Sequence, residues 1–180
     1  MPIIEPIKYP EGKAARLLES VERNFGATPN IFKTLANSPE ALEAYLNLQS
    51  ALSNGKLPKP LRESIALAVA GFNGCDYCAS AHTYLGDKLG IGQEELAANL
   101  RGKSSDPKTA AALGFSMVIL ETHGHPSKKE VAKVRAAGFS IGETIEILSF
   151  VSLNVFTNYF NETFGVEVDF PPIRAKQKAA

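Results

Sequence analysis

The sequence predicts an all-α fold, a multihelical bundle, and three observations carry that expectation. Apolar residues recur at helical spacing along most of the chain, while strand-like alternation is almost absent. Helix start and stop signals border the periodic stretches. The composition, 44% hydrophobic and 21% charged over 180 residues, is that of a globular protein able to bury a core.

A first helix is expected over 13–25, closed by Gly26. Asn37-Ser38-Pro39-Glu40 reads as a helix start, a capping residue followed by proline at the first helical position. The helix it opens runs to about Leu52, with Leu42, Tyr45, Leu46 and Gln49 at core spacing, and stops at Asn54-Gly55. The next helix runs from near Pro60 to about Phe72, and Asn73-Gly74 is a turn signal. Another follows from Cys75 to about Leu89. Further helices are expected over 93–100, 107–120 and 128–137. The last, over 141–164, is apolar on most of its circumference, the pattern of a helix buried at the centre of a bundle or an oligomer. The whole of 1–180 reads as one domain, with a core of about 12–165 and an extended tail over 166–180 containing Pro171-Pro172.

A faint, degenerate internal duplication is also legible. Ser38-Pro39 pairs with Asp106-Pro107, and Glu63-Ser64-Ile65 with Glu143-Thr144-Ile145. In that register Cys75, Cys78 and His82 align with Val155, Asn158 and Glu162, so only the first copy keeps reactive side chains.

Charge removes several function classes. Nineteen basic residues balance nineteen acidic ones, leaving no broad basic field for nucleic acid or an anionic membrane. Arg174, Lys176 and Lys178 read as a solvated basic C-terminus. Residues 1–10 lack the basic start and apolar run of a signal peptide. The most apolar stretch, around 145–160, is interrupted by Glu146, Ser149, Ser152, Asn154, Thr157 and Asn158, too polar for a membrane span. A cytoplasmic location is therefore expected, where a lone cysteine pair is more often catalytic or metal-binding than a structural disulfide.

The chemistry concentrates in Glu63 and the run Cys75-Asp76-Tyr77-Cys78-Ala79-Ser80-Ala81-His82. At about 100° per residue, Cys75, Cys78 and His82 share one helix face. Residues three apart stand about 5 to 5.5 Å apart at Cα, within reach of a disulfide, and His82 is one turn beyond Cys78. Gly74 puts Cys75 near a helix N-terminus, where free N–H groups favour a thiolate. If the chain reverses near Asn73, Glu63 lies level with His82, able to orient the imidazole and stabilise its charged form. Plainer readings compete. Two Cys, one His and one Glu could hold a metal, the thiols could be inert core, and Glu63 could be a surface residue. Tyr77 and Tyr84 read as packing residues, and His123 and His125 as part of a loop. No metal is assigned, and no glycine-rich motif offers a place for a nucleotide cofactor.

At these residues the chain resembles the carboxymuconolactone decarboxylase superfamily, in its alkyl hydroperoxidase D-like, peroxidase-related branch. The likeness lies in the spacing of Glu63, Cys75, Cys78 and His82, in Arg62-Glu63-Ser64-Ile65-Ala66, and in Cys78-Ala79-Ser80-Ala81-His82-Thr83. Gly26-Ala27-Thr28-Pro29-Asn30 and Asn158-Tyr159-Phe160-Asn161 extend it. The resemblance implies an all-α fold, a homo-oligomer (trimer or hexamer) and thiol-dependent reduction of hydroperoxides. It further implies Cys78 as the attacking thiol, Cys75 as the resolving one, and Glu63 and His82 as the proton relay. Some members carry a histidine between the cysteines where this chain has Tyr77. The decarboxylases generally lack the cysteine pair, which points to the redox branch.

The expected activity is reduction of a small organic hydroperoxide, with an external dithiol as reductant. Position favours Cys75 as the attacking thiol; the neighbouring base, which can protonate the leaving alkoxide, favours Cys78 and is given more weight. A general thiol–disulfide oxidoreductase and a metal-binding or structural helical oligomer remain alternatives at this stage.

Overall fold

The computed structural model describes residues 2–175, and among them the chain forms nine helices and no strand. In order these are α1 (Gly12–Phe25), α2 (Asn30–Leu35), α3 (Pro39–Ser53), α4 (Lys59–Asn73), α5 (Asp76–Lys88), α6 (Gln93–Leu100), α7 (Pro107–Glu121), α8 (Lys128–Ala136) and α9 (Ile141–Phe164). The expected borders hold to within a residue or two because the caps set them. Ser38 accepts from the Ala41 N–H ahead of Pro39, Asp106 from the Thr109 N–H ahead of Pro107, and Ser127 and Ser140 each close a capping box with a glutamate three residues on.

α4 is the hub. Its run from Ser64 to Ala70 is wholly buried, and it packs against α5, α6, α7 and α9. Gly71 allows the closest approach: a Cβ there would stand 1.8 Å from the Leu100 carbonyl oxygen at the end of α6. One apolar cluster joins α4 to α7 and α9 through Ile65, Val69, Leu113 and Ile147. A second joins α1, α2 and α5 and contains both cysteines.

Three expectations are corrected. α2 falls where no helix was expected. Its six residues are too short to register a period, and its N-cap, Pro29, offers no side-chain bond. The C-terminal stretch is not a free tail: up to Ala175 it lies against α5 and α2, and Val166 is buried. Arg174 keeps a mostly exposed side chain but pairs with Asp76 at 2.5 Å; Lys176 and Lys178 lie outside the described residues. The internal duplication does not extend to the helix hairpin, for the chain turns back at Gly74 between α4 and α5, whereas α9 runs straight through the matching register.

α9 buries Ile147, Phe150, Val151 and Leu153 but leaves an outward apolar stripe, from Ile141 (66% exposed) through Ile145 and Leu148 to Tyr159 (60%). No single helix among the described residues is long and apolar enough to cross a membrane.

Candidate active site

The site is made by a break between two helices. α4 ends at Gly74, whose φ of 75° is a left-handed conformation that a side chain would strain. The chain reverses there, and α5 starts with Cys75 as its N-cap, the sulfur accepting from the Cys78 N–H at 3.4 Å. The reversal lays α5 antiparallel to α4, so Glu63, nineteen residues before His82, meets it: Glu63 Oε2 is 2.7 Å from His82 Nδ1. Both side chains are about one-fifth exposed.

Both cysteines are free thiols. Cys75 is fully enclosed (0% exposed) and Cys78 nearly so (3%). The two ionise very differently. The Cys78 pKa is drawn down to about 7, first by the hydrogen bond from the Cys75 thiol, then by the charge of His82 and hydrogen bonds from Asn161 and Thr157, against the opposing effect of burial. The Asn161 amide donates to the Cys78 sulfur at 3.2 Å. The Cys75 pKa is pushed far up, because its proton is held on Cys78 and because it is buried. Against the pull of the helix N-terminus on Cys75, the hydrogen bond between the thiols lowers the pKa of Cys78 and raises that of Cys75. Burial works against charge on His82, but the charge of Glu63, its hydrogen bond and the field of Cys78 outweigh it, and the pKa of His82 is raised. No direct hydrogen bond links His82 to Cys78, so the two are coupled through their charges.

Cys78, not Cys75, opens onto a cavity of about 490 Å³, with His82, Thr157 and Asn161 also in its lining. His82 and Tyr45 border this cavity and also a second, outer pocket on the Glu63 side. Burial, with the charges of Cys78 and Glu63, raises the pKa of Tyr45 and keeps its phenol neutral.

All four residues singled out from the sequence thus meet in one place. They also lie inside the segment 39–121, which matches the carboxymuconolactone decarboxylase family. That match spans a little under half of the chain. Solved structures share its all-helical fold. One is the AhpD core of an uncharacterized peroxidase-related protein from Ralstonia eutropha JMP134, at 24% identity, 94% coverage of each chain and a TM-score of 0.78. A second is an uncharacterized peroxidase-related protein from Silicibacter sp. TM1040, at 24% identity, covering 91% of this chain and 86% of that one, with a TM-score of 0.76. A third is a variant of the debrominase Bmp8 in complex with 2,3,4-tribromopyrrole, at 20% identity, covering 93% and 91%, with a TM-score of 0.78. No curated protein matches the chain in sequence.

Other site residues lie outside the family segment. Thr157 and Asn161 reach Cys78 from α9; the only sequence signal for them was the polar interruption of an apolar helix and the Asn158–Asn161 likeness. Asn158 takes a hydrogen bond from Asn73 at 3.1 Å, tying α9 to the turn. Asn161 Oδ1 is buried without a partner, so its amide is committed to the sulfur on one side only. Tyr77 is a buried packing residue as expected, and its hydroxyl also donates to Asp169 at 2.8 Å. Tyr84 packs half-exposed beside Phe170. His123 and His125 sit in the loop between α7 and α8, His125 bonded to the Thr122 carbonyl. Among the described residues no three of His, Cys, Asp and Glu converge as a metal site, and the Glu63 carboxylate is already engaged with His82.

Proposed function

We propose that the protein is a thiol-dependent peroxidase that reduces organic hydroperoxides through a Cys78–Cys75 dithiol cycle. The observation that carries this reading is one thiol, with its pKa drawn down to about 7, in the lining of an open cavity and beside a second thiol that holds its proton. The Cys78 thiolate attacks the terminal oxygen of the hydroperoxide. The O–O bond breaks, the sulfur becomes a sulfenic acid, and the alkoxide takes a proton to leave as an alcohol. His82, its charged form favoured by Glu63, supplies that proton. The Cys75 thiol then condenses with the sulfenic acid, releasing water and forming the Cys75–Cys78 disulfide. An external dithiol reduces the disulfide by exchange and restores both thiols. The match of residues 39–121 to the carboxymuconolactone decarboxylase family and the peroxidase-related fold neighbours support this reading.

A general thiol–disulfide oxidoreductase would use the same pair, but it has no need of a cavity above one sulfur. The assembly proposed with this function is a homo-oligomer, a trimer or hexamer, in which the outward stripe of α9 is covered. A monomeric mass by light scattering at micromolar concentration would refute the assembly.

The activity is tested by counting free thiols before and after one equivalent of cumene hydroperoxide, and by dithiol-supported turnover. The expected result is loss of two thiols per chain and peroxide-dependent turnover. Thiols that survive the peroxide intact, in a folded protein, refute the reading.

A further inference from the structure

The cavity above Cys78 is walled on one side by the C-terminal segment, and the two residues between the cysteines hold that segment in place. The Asp76 carboxylate accepts from the Ala175 N–H at 2.8 Å and from the Arg174 guanidinium at 2.5 Å. Tyr77 grips Asp169 through its hydroxyl, and the other oxygen of Asp169 accepts from the Asn30 N–H at 2.7 Å. Ser80, one turn further along α5, accepts from the Ile173 N–H at 2.9 Å. The segment is thus bolted to α5 and α2 at several points, through side chains that the dithiol chemistry itself does not use.

The product of these anchors is the position of Phe170. Its ring stands edge-on to Tyr77, 5.8 Å between centroids at 86°, and 5.9 Å from Tyr84. Phe25 and Phe32, themselves 5.4 Å apart, line the same cavity from α1 and α2. The Cys78 thiol and its polar partners therefore line a space to which Phe25, Phe32, Tyr45, Tyr77, Tyr84 and Phe170 contribute aromatic rings. Its volume, about 490 Å³, is in the range of pockets that enclose a ring-bearing ligand and far above the roughly 30 Å³ share of a water molecule. Hydrogen peroxide would leave most of it unfilled. Aromatic walls favour an aromatic occupant, through area burial and edge-to-face contact.

We propose that residues 166–173 form a specificity wall, with Phe170 as its determinant, and that the substrate is a hydroperoxide carrying an aromatic ring. The ring packs against Phe170 and the Phe25–Phe32 side while the terminal peroxide oxygen meets Cys78. The choice of a hydroperoxide rests on the peroxidase reading above; the choice of an aromatic body rests on the cavity alone. Tyr77 and Asp76 act on this preference as positioning residues, through the anchors they provide.

The experiment uses the full chain with two pairs of probes. The first pair is cumene hydroperoxide and hydrogen peroxide, read as second-order rate constants for loss of the Cys78 thiol. The second is N-benzyliodoacetamide and iodoacetamide, read as rates of Cys78 alkylation. Each result is a ratio within one variant, and variants are compared only where circular dichroism shows the same folded fraction as the wild type. The wild type should favour the aromatic probe in both pairs. Phe170→Ala should lower both ratios at least about tenfold, and Asp169→Asn, which weakens the anchor, should lower them by less. Ratios unchanged in both pairs would overturn the proposal. A wild type inert to both peroxides, with the alkylation ratio still falling in Phe170→Ala, would sink the peroxidase reading and uphold the aromatic wall.

Discussion

Two stretches of this chain begin alike and end differently. Glu63-Ser64-Ile65 opens the buried part of α4, and Glu143-Thr144-Ile145 opens α9. After the first, the chain turns at Gly74, starts a new helix at Cys75 and returns, so Glu63 faces His82. After the second it continues as one 24-residue helix. There Glu143 turns to its own start and closes the capping box, its carboxylate accepting from the Ser140 N–H at 2.7 Å. Two nearly identical tripeptides thus set a carboxylate against a histidine in one place and start a helix in the other. The difference teaches that the carboxylate acquires its role from the hairpin, not from the local sequence.

The straight helix still contributes to the site, but as a wall. It carries Thr157 and Asn161 to the Cys78 sulfur and presents its other face outward. The hairpin supplies reactive groups; α9 supplies their environment.

The comparison can be broken most severely at the carboxylate of the hairpin. Glu63→Gln keeps the shape and removes the charge that holds His82 protonated, so steady-state peroxidase turnover should fall at least about tenfold. The fold should survive, as read by circular dichroism. A variant with unchanged turnover would reduce Glu63 to a helix-surface residue.

A smaller effect is expected at α9. Asn161→Ala removes one hydrogen bond to the Cys78 thiolate, so the thiol should ionise at higher pH. In the wild type, alkylation by iodoacetamide should rise as pH passes upward through about 7, the depressed value of Cys78. In Asn161→Ala that midpoint should move up, and the rate at pH 7 should fall a few-fold, because each pKa unit is a factor of about ten in thiolate below the midpoint. A midpoint that stays in place would show that α9 merely fills space beside the sulfur.

The smallest effect belongs to the second glutamate. Glu143→Ala should lower stability by about 1 kcal/mol, the usual worth of a lost helix cap, and leave turnover as it was. The check is a urea melt beside an activity assay. A loss of turnover comparable to that of Glu63→Gln would erase the contrast between the two stretches.

Much of this was legible in the sequence because it depends on local rules. Cap residues and glycines fixed the helix borders, and counting residues on either side of Asn73 set Glu63 level with His82. The thiol pair and its base follow from helical spacing alone. What stayed hidden depends on contacts between distant segments. Nothing in Asn161 distinguishes it from any polar residue interrupting an apolar helix until α9 is laid across α5, 83 residues away in sequence. Residues 166–175 have no helical or strand period, so their docking on Asp76, Tyr77 and Ser80 left no pattern to read. The balance between the two thiols has the same origin. The N-cap position of Cys75 was foreseeable, but its burial and the donation of its proton to Cys78 were not.

The central claim is that Cys78 is the thiolate that meets the peroxide and Cys75 the thiol that resolves the product. It is tested most directly by trapping the sulfenic acid with a dimedone-type reagent after one equivalent of cumene hydroperoxide, in each cysteine variant. Cys75→Ser should consume one equivalent, carry the label on Cys78 and fail to turn over; Cys78→Ser should consume none and carry no label. A label on Cys75 in Cys78→Ser, with none in Cys75→Ser, would reverse the two roles and contradict the account.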